Sequence, residues 1–261
     1  MQQLTWQDSA VRDVLRHIKL AKPFCYGMTN YIAANLSANV LLAVGAAPAI
    51  GGAMDWPTVF GANANAVWIN SACLMSDSPH QVSQTAQAAH AAGVPWVLDP
   101  VALGAGASEY DQVVLGLLAF KPTAIRGNAS ELIALTGGQG GGKGVETTLS
   151  SQDALPFIEE FARRQGCIMA VSGPVDYITD GTRTVSVAGG DARLTQVTGA
   201  GCSLGALIAA ALSSPTDPLT AVAAAHAFYA EASQRASGAQ GTGSFAVAFL
   251  DTLSLLDSES V

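Results

Sequence analysis

Seven polar residues are of the kinds that handle phosphate, metal or an alcohol: Asn30, Asp99, Arg126, Asn128, Glu131, Ser172 and Cys202. Asp99 and Glu131 offer carboxylate oxygens, which hold Mg²⁺ directly or through water. Arg126 carries a rigid five-donor fork suited to phosphate. Cys202 stands behind two glycines in Val197-Thr198-Gly199-Ala200-Gly201-Cys202, and an apolar, small-residue run follows. That run reads as a buried helix. Glycine at its mouth, at 199 and 201, leaves bare backbone whose N–H groups have no intrahelical partner, at the positive end of the helix dipole. Such a mouth suits an anion. Each residue also has a plain structural reading. Asp99 precedes Pro100 as turn formers do, Asn128 is a helix-cap type, Glu131 suits a solvated helix face, and Cys202 is a small packing thiol. At a helix N-terminus the thiol pKa is expected below its ordinary value of about 8.5, which still makes a weak base toward an alcohol.

These residues follow short apolar runs. Strands are expected at Phe24–Met28, Ala47–Ile50, Ala66–Asn70, Val94–Asp99, Thr123–Arg126 and Cys167–Ser172. Helical stretches are expected at 6–20, 31–43, 77–92, 129–135 and 153–165, with one face of the first carrying Val11, Val14, Leu15 and Ile18. Continuous apolar strands separated by helices imply an α/β fold, a central mostly parallel sheet with helices on both faces. Asp176–Thr179 and Thr184–Ala188 flank a hairpin signal, and helices are expected near 201–213, 217–236 and 242–256. In an open parallel sheet ligands bind beyond the carboxyl ends of the strands, where Asn30, Asp99, Arg126, Asn128, Glu131 and Ser172 cluster. Their joint placement there outweighs the plain reading of each.

Composition narrows the class. Of 261 residues only 12% are charged, against roughly 25% in average chains. A surface so poor in charge finds an outlet in burial between subunits, so a homo-oligomer is expected. The net charge of −8 argues against nucleic-acid or anionic-membrane partners. Cys25, Cys73, Cys167 and Cys202 form no C-x-x-C pair and adjoin no histidine, which argues against a zinc site or disulfide framework. Residues 8–19 are charged at helical spacing and do not read as a signal peptide. The uncharged stretch 27–54 contains Asn30, Asn35, Asn39 and Pro48 and does not read as a membrane span. A cytoplasmic protein with one domain over 1–261 is expected, with the Gly-rich segment 137–144 as a mobile loop.

Several stretches together carry a family resemblance: Met28-Thr29-Asn30, Ala38–Pro48, Leu98-Asp99-Pro100-Val101, Ile125-Arg126-Gly127-Asn128-Ala129-Ser130-Glu131, Lys143-Gly144-Val145, Ser172–Asp176, Val197–Cys202 and Gly241–Phe245. The chain resembles the hydroxyethylthiazole kinases, the thiamine-salvage branch of the ribokinase-like superfamily. The Ala38–Ala46 stretch separates that branch from its relatives. The resemblance implies a ribokinase-like fold and ATP-dependent phosphorylation of the primary alcohol of 4-methyl-5-(2-hydroxyethyl)thiazole, with Mg²⁺, in a homotrimer with active sites between subunits. It assigns Arg126, Ser172 and Asn128 to ATP, and Ile50, Gly199 and Asn30 to the thiazole. Glu131 of the N-x-x-E motif and Asp99 go to Mg²⁺, and Gly199, Gly201 and Cys202 to catalysis. The chain departs from the family at four places: Ile50 replaces the usual methionine, Tyr26 the usual histidine, the loop Asp99-Pro100-Val101-Ala102-Leu103-Gly104-Ala105-Gly106-Ala107 the usual D-P-V-G-x-G-A, and the glycine-rich segment 137–144 is unusual. Many ribokinase-like enzymes have an aspartate base where Cys202 stands. Phosphoryl transfer has a loose transition state, so the larger share of catalysis is expected from the 199–202 amides and Mg²⁺, with Cys202 orienting the hydroxyl or taking its proton late. The alternatives are a kinase for a pyrimidine or pyridoxal alcohol, a related ATP-dependent dehydratase, and a non-catalytic thiazole-binding paralogue. A dinucleotide oxidoreductase is weaker, because no G-x-G-x-x-G follows the first strand.

Overall fold

The computed structural model describes residues 1–138 and 149–256. Most of the expected mobile loop, and the Lys143-Gly144-Val145 piece, lie outside the described residues. The chain begins with β1 (Gln2–Gln3) and the amphipathic α1 (Ser9–Ala21), whose Val11, Val14, Leu15 and Ile18 are buried as their spacing predicts. Lys22, with φ of 46°, ends α1 in the left-handed region before Pro23. β2 (Phe24–Met28), α2 (Ala34–Ala43) and β3 (Ala47–Ile50) follow. The helix expected from 31 starts three residues late, because the Asn30 side chain accepts the Ala33 N–H and shapes a turn first. Next come α3 (Trp56–Asn63), β4 (Ala66–Asn70), α4 (Pro79–Ala92) and β5 (Trp96–Asp99). Ser78 and Gln81 close a capping box on α4, and Gly93 ends it at φ 70°.

The second half runs α5 (Ser108–Gly116), β6 (Ala124–Asn128), α6 (Ala129–Leu135), α7 (Ser151–Gln165) and β7 (Ile168–Ser172). The hairpin β8 (Val175–Thr179) and β9 (Thr184–Ala188) precedes α8 (Ala200–Leu212), α9 (Pro218–Arg235) and α10 (Thr242–Leu255). Three elements were not foreseen: β1, α3 and α5. The two helices are short, and α3 carries an internal Gly61. At eight residues α3 is below the length at which propensity alone sustains a helix, and what holds it is tertiary: Phe60 meets Phe24 and Tyr26 of β2 at ring separations of 5.3 and 5.6 Å.

The strands form one sheet in the order β1-β9-β8-β7-β6-β5-β4-β2-β3. Neighbours from β7 through β3 are parallel; β8 is antiparallel to β7 and β9 to β8. Alternation along the strands feeds two cores. Ala66, Trp68, Val97, Ala124 and Ala170 face the layer of α1, α2, α8, α9 and α10. Val67, Ile69, Leu98, Ile125 and Met169 face the layer of α3, α4, α6 and α7. From Ser203 to Leu212 every residue of α8 is buried, so it is packed on all sides, as its composition predicts. Its Leu204, Leu207 and Ile208 each contribute about 1.5–3 kcal/mol by burial. Among the described residues no helix is long and apolar enough to cross a membrane.

Candidate active site

Strand alternation sets the site. Asn70 follows Trp68 by two residues, Asp99 follows Val97 and Arg126 follows Ala124, so all three point to the α8 layer. Register then puts them side by side: Asn70 pairs Asp99, and Leu98 pairs Ile125 one position earlier. Asn70 Nδ2 donates to Asp99 Oδ2 at 2.9 Å, and Arg126 Nη1 donates to the same oxygen at 3.2 Å. Arg126 Nη2 reaches Ser172 Oγ at 2.9 Å. At the other end Asn30 Nδ2 lies 3.4 Å from Asn70 Oδ1 and 3.8 Å from Cys202 Sγ. A hydrogen-bonded row thus crosses the carboxyl ends of β2, β4, β5, β6 and β7. Gly205 lets α8 lie against this row: a Cβ there would sit 3.8 Å from Asp99 Oδ2.

The row is electrostatically loaded. Burial pushes the Asp99 carboxyl upward, against the pull of Arg126 and Asn70. Burial also opposes the charge of Arg126, but Asp99 and Glu131 outweigh it and hold the guanidinium charged. Glu131 is pushed up to about 7 by burial and by the charge of Asp99. Its oxygens accept the N–H groups of Asn128 at 2.9 Å and Ala102 at 3.0 Å, while Asn128 Oδ1 accepts the Glu131 N–H at 2.9 Å. The N-x-x-E motif is therefore a capping box on α6, a second role for residues expected to serve the metal and nucleotide. Asp99 Oδ1 is buried with no partner. A buried acceptor left bare is costly unless a ligand completes it. Mg²⁺ fits that oxygen and the two mutually strained carboxylates, since it takes one or two carboxylates and fills its octahedron with phosphate oxygens and water. Among the described residues no three acidic, His or Cys side chains form a ready-made metal cage.

At the mouth of α8, Ala200 N–H is taken by Val197 O and Ser203 N–H by Gly199 O. The N–H groups of Gly201 and Cys202 remain for an anion. Gly199 sits at φ 84°, and a Cβ there would come within 3.1 Å of Ala33 Cα, so both backbone and packing demand glycine. Gly201 has no such need; its nearest neighbour would be Arg126 Nη1 at 3.8 Å, which leaves the cleft floor bare. Its carbonyl accepts Arg126 Nη1 at 2.9 Å. The expectation of a lowered Cys202 pKa is overturned. Burial and the nearby Asp99 charge push the thiol up to about 11, over the opposing effects of Arg126, Asn70 and Asn30. Desolvation defeats the helix end, and the group is a neutral thiol at pH 7.

A cleft of about 630 Å³ opens beside this mouth, floored by Arg126, Ser172 and Gly201. It lies within the 300–1,000 Å³ range typical of small-molecule sites. Its outer wall is the loop 189–195, which Arg193 holds. Arg193 pairs with Asp191 at 2.6 Å, donates to Ala239 O at 2.8 Å, and stacks 4.6 Å over the Phe245 ring. Of the expected residues, Arg126, Ser172 and Gly201 border the cleft. Asn30 and Cys202 meet on the other side of the α8 mouth, beside Gly199. Ile50 ends the edge strand β3, away from the row, paired with Gly27. Sequence reasoning missed Asn70, although it ends β4 as Asp99 ends β5, and the same strand-end rule selects it. It also missed the 189–195 wall, which no local pattern announces.

Fold and site together define a ribokinase-like α/β protein with a phosphate-suited helix mouth at the carboxyl edge of its sheet. A ribokinase-like superfamily protein from Enterococcus faecalis shares the fold, with a TM-score of 0.66 at 13% identity over 99% of this chain and 97% of that one. The chain belongs to the hydroxyethylthiazole kinase family, whose profile matches residues 15–259, and it is a kinase. A hydroxyethylthiazole kinase of Burkholderia pseudomallei (strain 668) is 63% identical over 257 residues, 98% of this chain and 93% of the relative. The structure of the hydroxyethylthiazole kinase from Pyrococcus horikoshii OT3 superposes with a TM-score of 0.84 at 32% identity, covering 95% and 93% of the two chains.

Proposed function

We propose that this kinase transfers the γ-phosphoryl group of ATP to the primary alcohol of 4-methyl-5-(2-hydroxyethyl)thiazole, supplying thiazole phosphate for thiamine synthesis. The observation that carries it is the buried row from Asn30 to Ser172 lying under the unpartnered N–H groups of Gly201 and Cys202. ATP enters the cleft with its phosphates toward Arg126, Ser172, Asn128 and the α8 mouth. Asp99 and Glu131 would hold Mg²⁺, which would supply charge neutralisation of the phosphates. Arg126 and the amides of 201 and 202 stabilise charge on the transferring group. The alcohol oxygen bonds to phosphorus as the bond to ADP breaks. Asn30, Gly199 and Cys202 orient that alcohol in line, with Ile50 toward the thiazole ring. A neutral thiol is a poor proton acceptor, so Cys202 acts by position, and the alcohol proton passes late to an oxygen of the transferred phosphate and from there to water, as a loose transition state permits.

The working form is a homotrimer with sites between subunits. Ile50 ends an edge strand, and Tyr31, Ile32, Leu42, Met54 and Val59, all exposed, lie on segments flanking that strand; this supports the reading. A cytoplasmic location accords with four unpaired cysteines, and a single domain with the continuous nine-stranded sheet. The test is ADP release with ATP and Mg²⁺ on a panel of hydroxyethylthiazole, hydroxymethylpyrimidine and pyridoxal. Turnover is expected with the thiazole alone at low concentration. A preference for either other alcohol would reassign the substrate, and no ADP with any would make the chain a binding paralogue.

A further inference from the structure

His226 lies on α9, is fully buried and borders the cleft. Its Nδ1 sits 2.7 Å from Asp176 Oδ2. A carboxylate only accepts, so Nδ1 carries the hydrogen. The other Asp176 oxygen takes the Gly173 N–H at 2.8 Å, which stops the carboxylate from turning away. Nε2, by contrast, is buried with no partner. A histidine serving only to fill the core would have both nitrogens satisfied. Here one nitrogen is braced and the other is left bare, in a residue that lines a ligand-sized cleft. β8, which carries Asp176, lies two strands from β6, which carries Arg126, so the two ends of the cleft are roughly 10 Å apart along the sheet. The Arg126 end offers a cation and free N–H groups. The lining also includes Pro174, Leu194 and Ala230, which suit a base and a sugar.

We infer that His226 Nε2 accepts a hydrogen bond from the nucleoside part of the phosphate donor, with Asp176 as the positioning residue that sets the ring's tautomer. This rests on the ATP reading above. Two donors share the required chemistry, the 6-amino group of adenine and a ribose hydroxyl.

The test compares wild type, His226→Gln, His226→Leu and Asp176→Asn for KM toward ATP, inosine triphosphate and 2′- and 3′-deoxy-ATP, and for inhibition by tripolyphosphate. His226→Leu is expected to raise KM for ATP roughly three- to tenfold, the loss of one hydrogen bond. Its kcat, its KM for the alcohol and its tripolyphosphate inhibition stay within about twofold, and His226→Gln recovers part of the ATP affinity. The analogue whose disadvantage against ATP disappears in His226→Leu identifies the donor met. Equal weakening toward ATP and tripolyphosphate would mark a general disturbance of the cleft and overturn the inference, as would an unchanged KM, or a raised KM with every analogue ratio intact.

Should His226→Leu fail to fold, Asp176→Asn decides. Gly173 N–H holds the amide oxygen of that variant in place, so its NH₂ faces Nδ1 and forces the hydrogen onto Nε2. Preference for ATP over inosine triphosphate then falls if the 6-amino group is the donor. KM for ATP changes little if it is a ribose hydroxyl, which both donates and accepts, and the deoxy analogues then keep their disadvantage in Asp176→Asn and lose only part of it in His226→Gln. No change in any ratio in either variant overturns the inference. A wild type that neither binds nor uses ATP would remove the nucleotide reading itself; an active wild type with silent variants removes this inference alone.

Discussion

Arg126→Met is the sharpest probe of the buried row. Methionine keeps the length and apolar stem of the side chain but takes the cation from Asp99, which is 1% exposed. Ser172 Oγ and the carbonyl of Gly201 also lose their donor. The stranded Asp99 carboxylate then has two choices: remain charged in the core, at several kcal/mol, or take a proton. Protonation sets the ceiling. From the ordinary carboxyl value of 3.8 it costs about 4 kcal/mol at pH 7, at ~1.4 kcal/mol per pH unit. Adding the two lost hydrogen bonds, the variant is expected to unfold about 4–6 kcal/mol more easily than wild type at pH 7. The sign of the pH dependence follows. A carboxyl whose folded pKa is raised contributes stability that is present below 3.8 and lost as pH rises. The gap between variant and wild type therefore narrows as pH falls from 8 to 5.5. Urea unfolding followed by tryptophan fluorescence across that range measures it. Adding Asp99→Asn to Arg126→Met removes the stranded charge and should flatten the pH dependence. A penalty below about 1 kcal/mol at pH 8, or one that does not change with pH, would refute the claim that Arg126 is the counter-charge of Asp99.

Cys202→Ala should keep kcat within about tenfold of wild type, because a thiol held near 11 is protonated and contributes no base; a thousandfold loss in steady-state assays would restore it as proton acceptor. Gly201→Val should fold normally yet raise KM for ATP more than tenfold, since its Cβ meets nothing closer than 3.8 Å and the branch fills the cleft floor; unchanged ATP kinetics would move the phosphates elsewhere. Ala102 has φ of 60°, where the family usually has glycine, so Ala102→Gly should stabilise the protein by about 0.5–1 kcal/mol, read as a small rise in Tm; a fall would mean the left-handed backbone is not strained there. Glu131 titrates near 7 without metal, and Mg²⁺ competes with that proton, so apparent Mg²⁺ affinity should rise up to tenfold per unit below pH 7 and level off above it; calorimetric titration showing a flat profile from pH 5.5 to 8 would remove Glu131 from the metal site.

Much of the site was legible in residue order because strand ends are local features. Asp99, Arg126, Glu131 and Ser172 each follow an apolar run, and parallel strands bring their carboxyl ends to one edge whatever the exact register. Gly199 was legible too, since a backbone turn into a helix leaves few other residues possible. The energies of these groups were not legible. Cys202 at a helix N-terminus promised a lowered pKa, and burial beside Asp99 reverses it. The N-x-x-E pair promised metal and phosphate ligands, and both side chains also close a capping box at 2.9 Å. α3 left no periodic trace, because aromatic contacts from β2 hold it rather than its own residues.

The α/β class, the parallel sheet, the family and the strand-end residues can all be read along the chain, since these depend on apolar periodicity and short-range chemistry that neighbouring residues express. It takes the folded molecule to join Asp99 to Asn30 through Asn70, to set loop 189–195 as a wall of the cleft, and to leave one nitrogen of the cleft-lining His226 bare. Those facts arise from register between strands and from how deeply each group is withdrawn from water. Both are properties of residues far apart in the chain, so no local pattern encodes them.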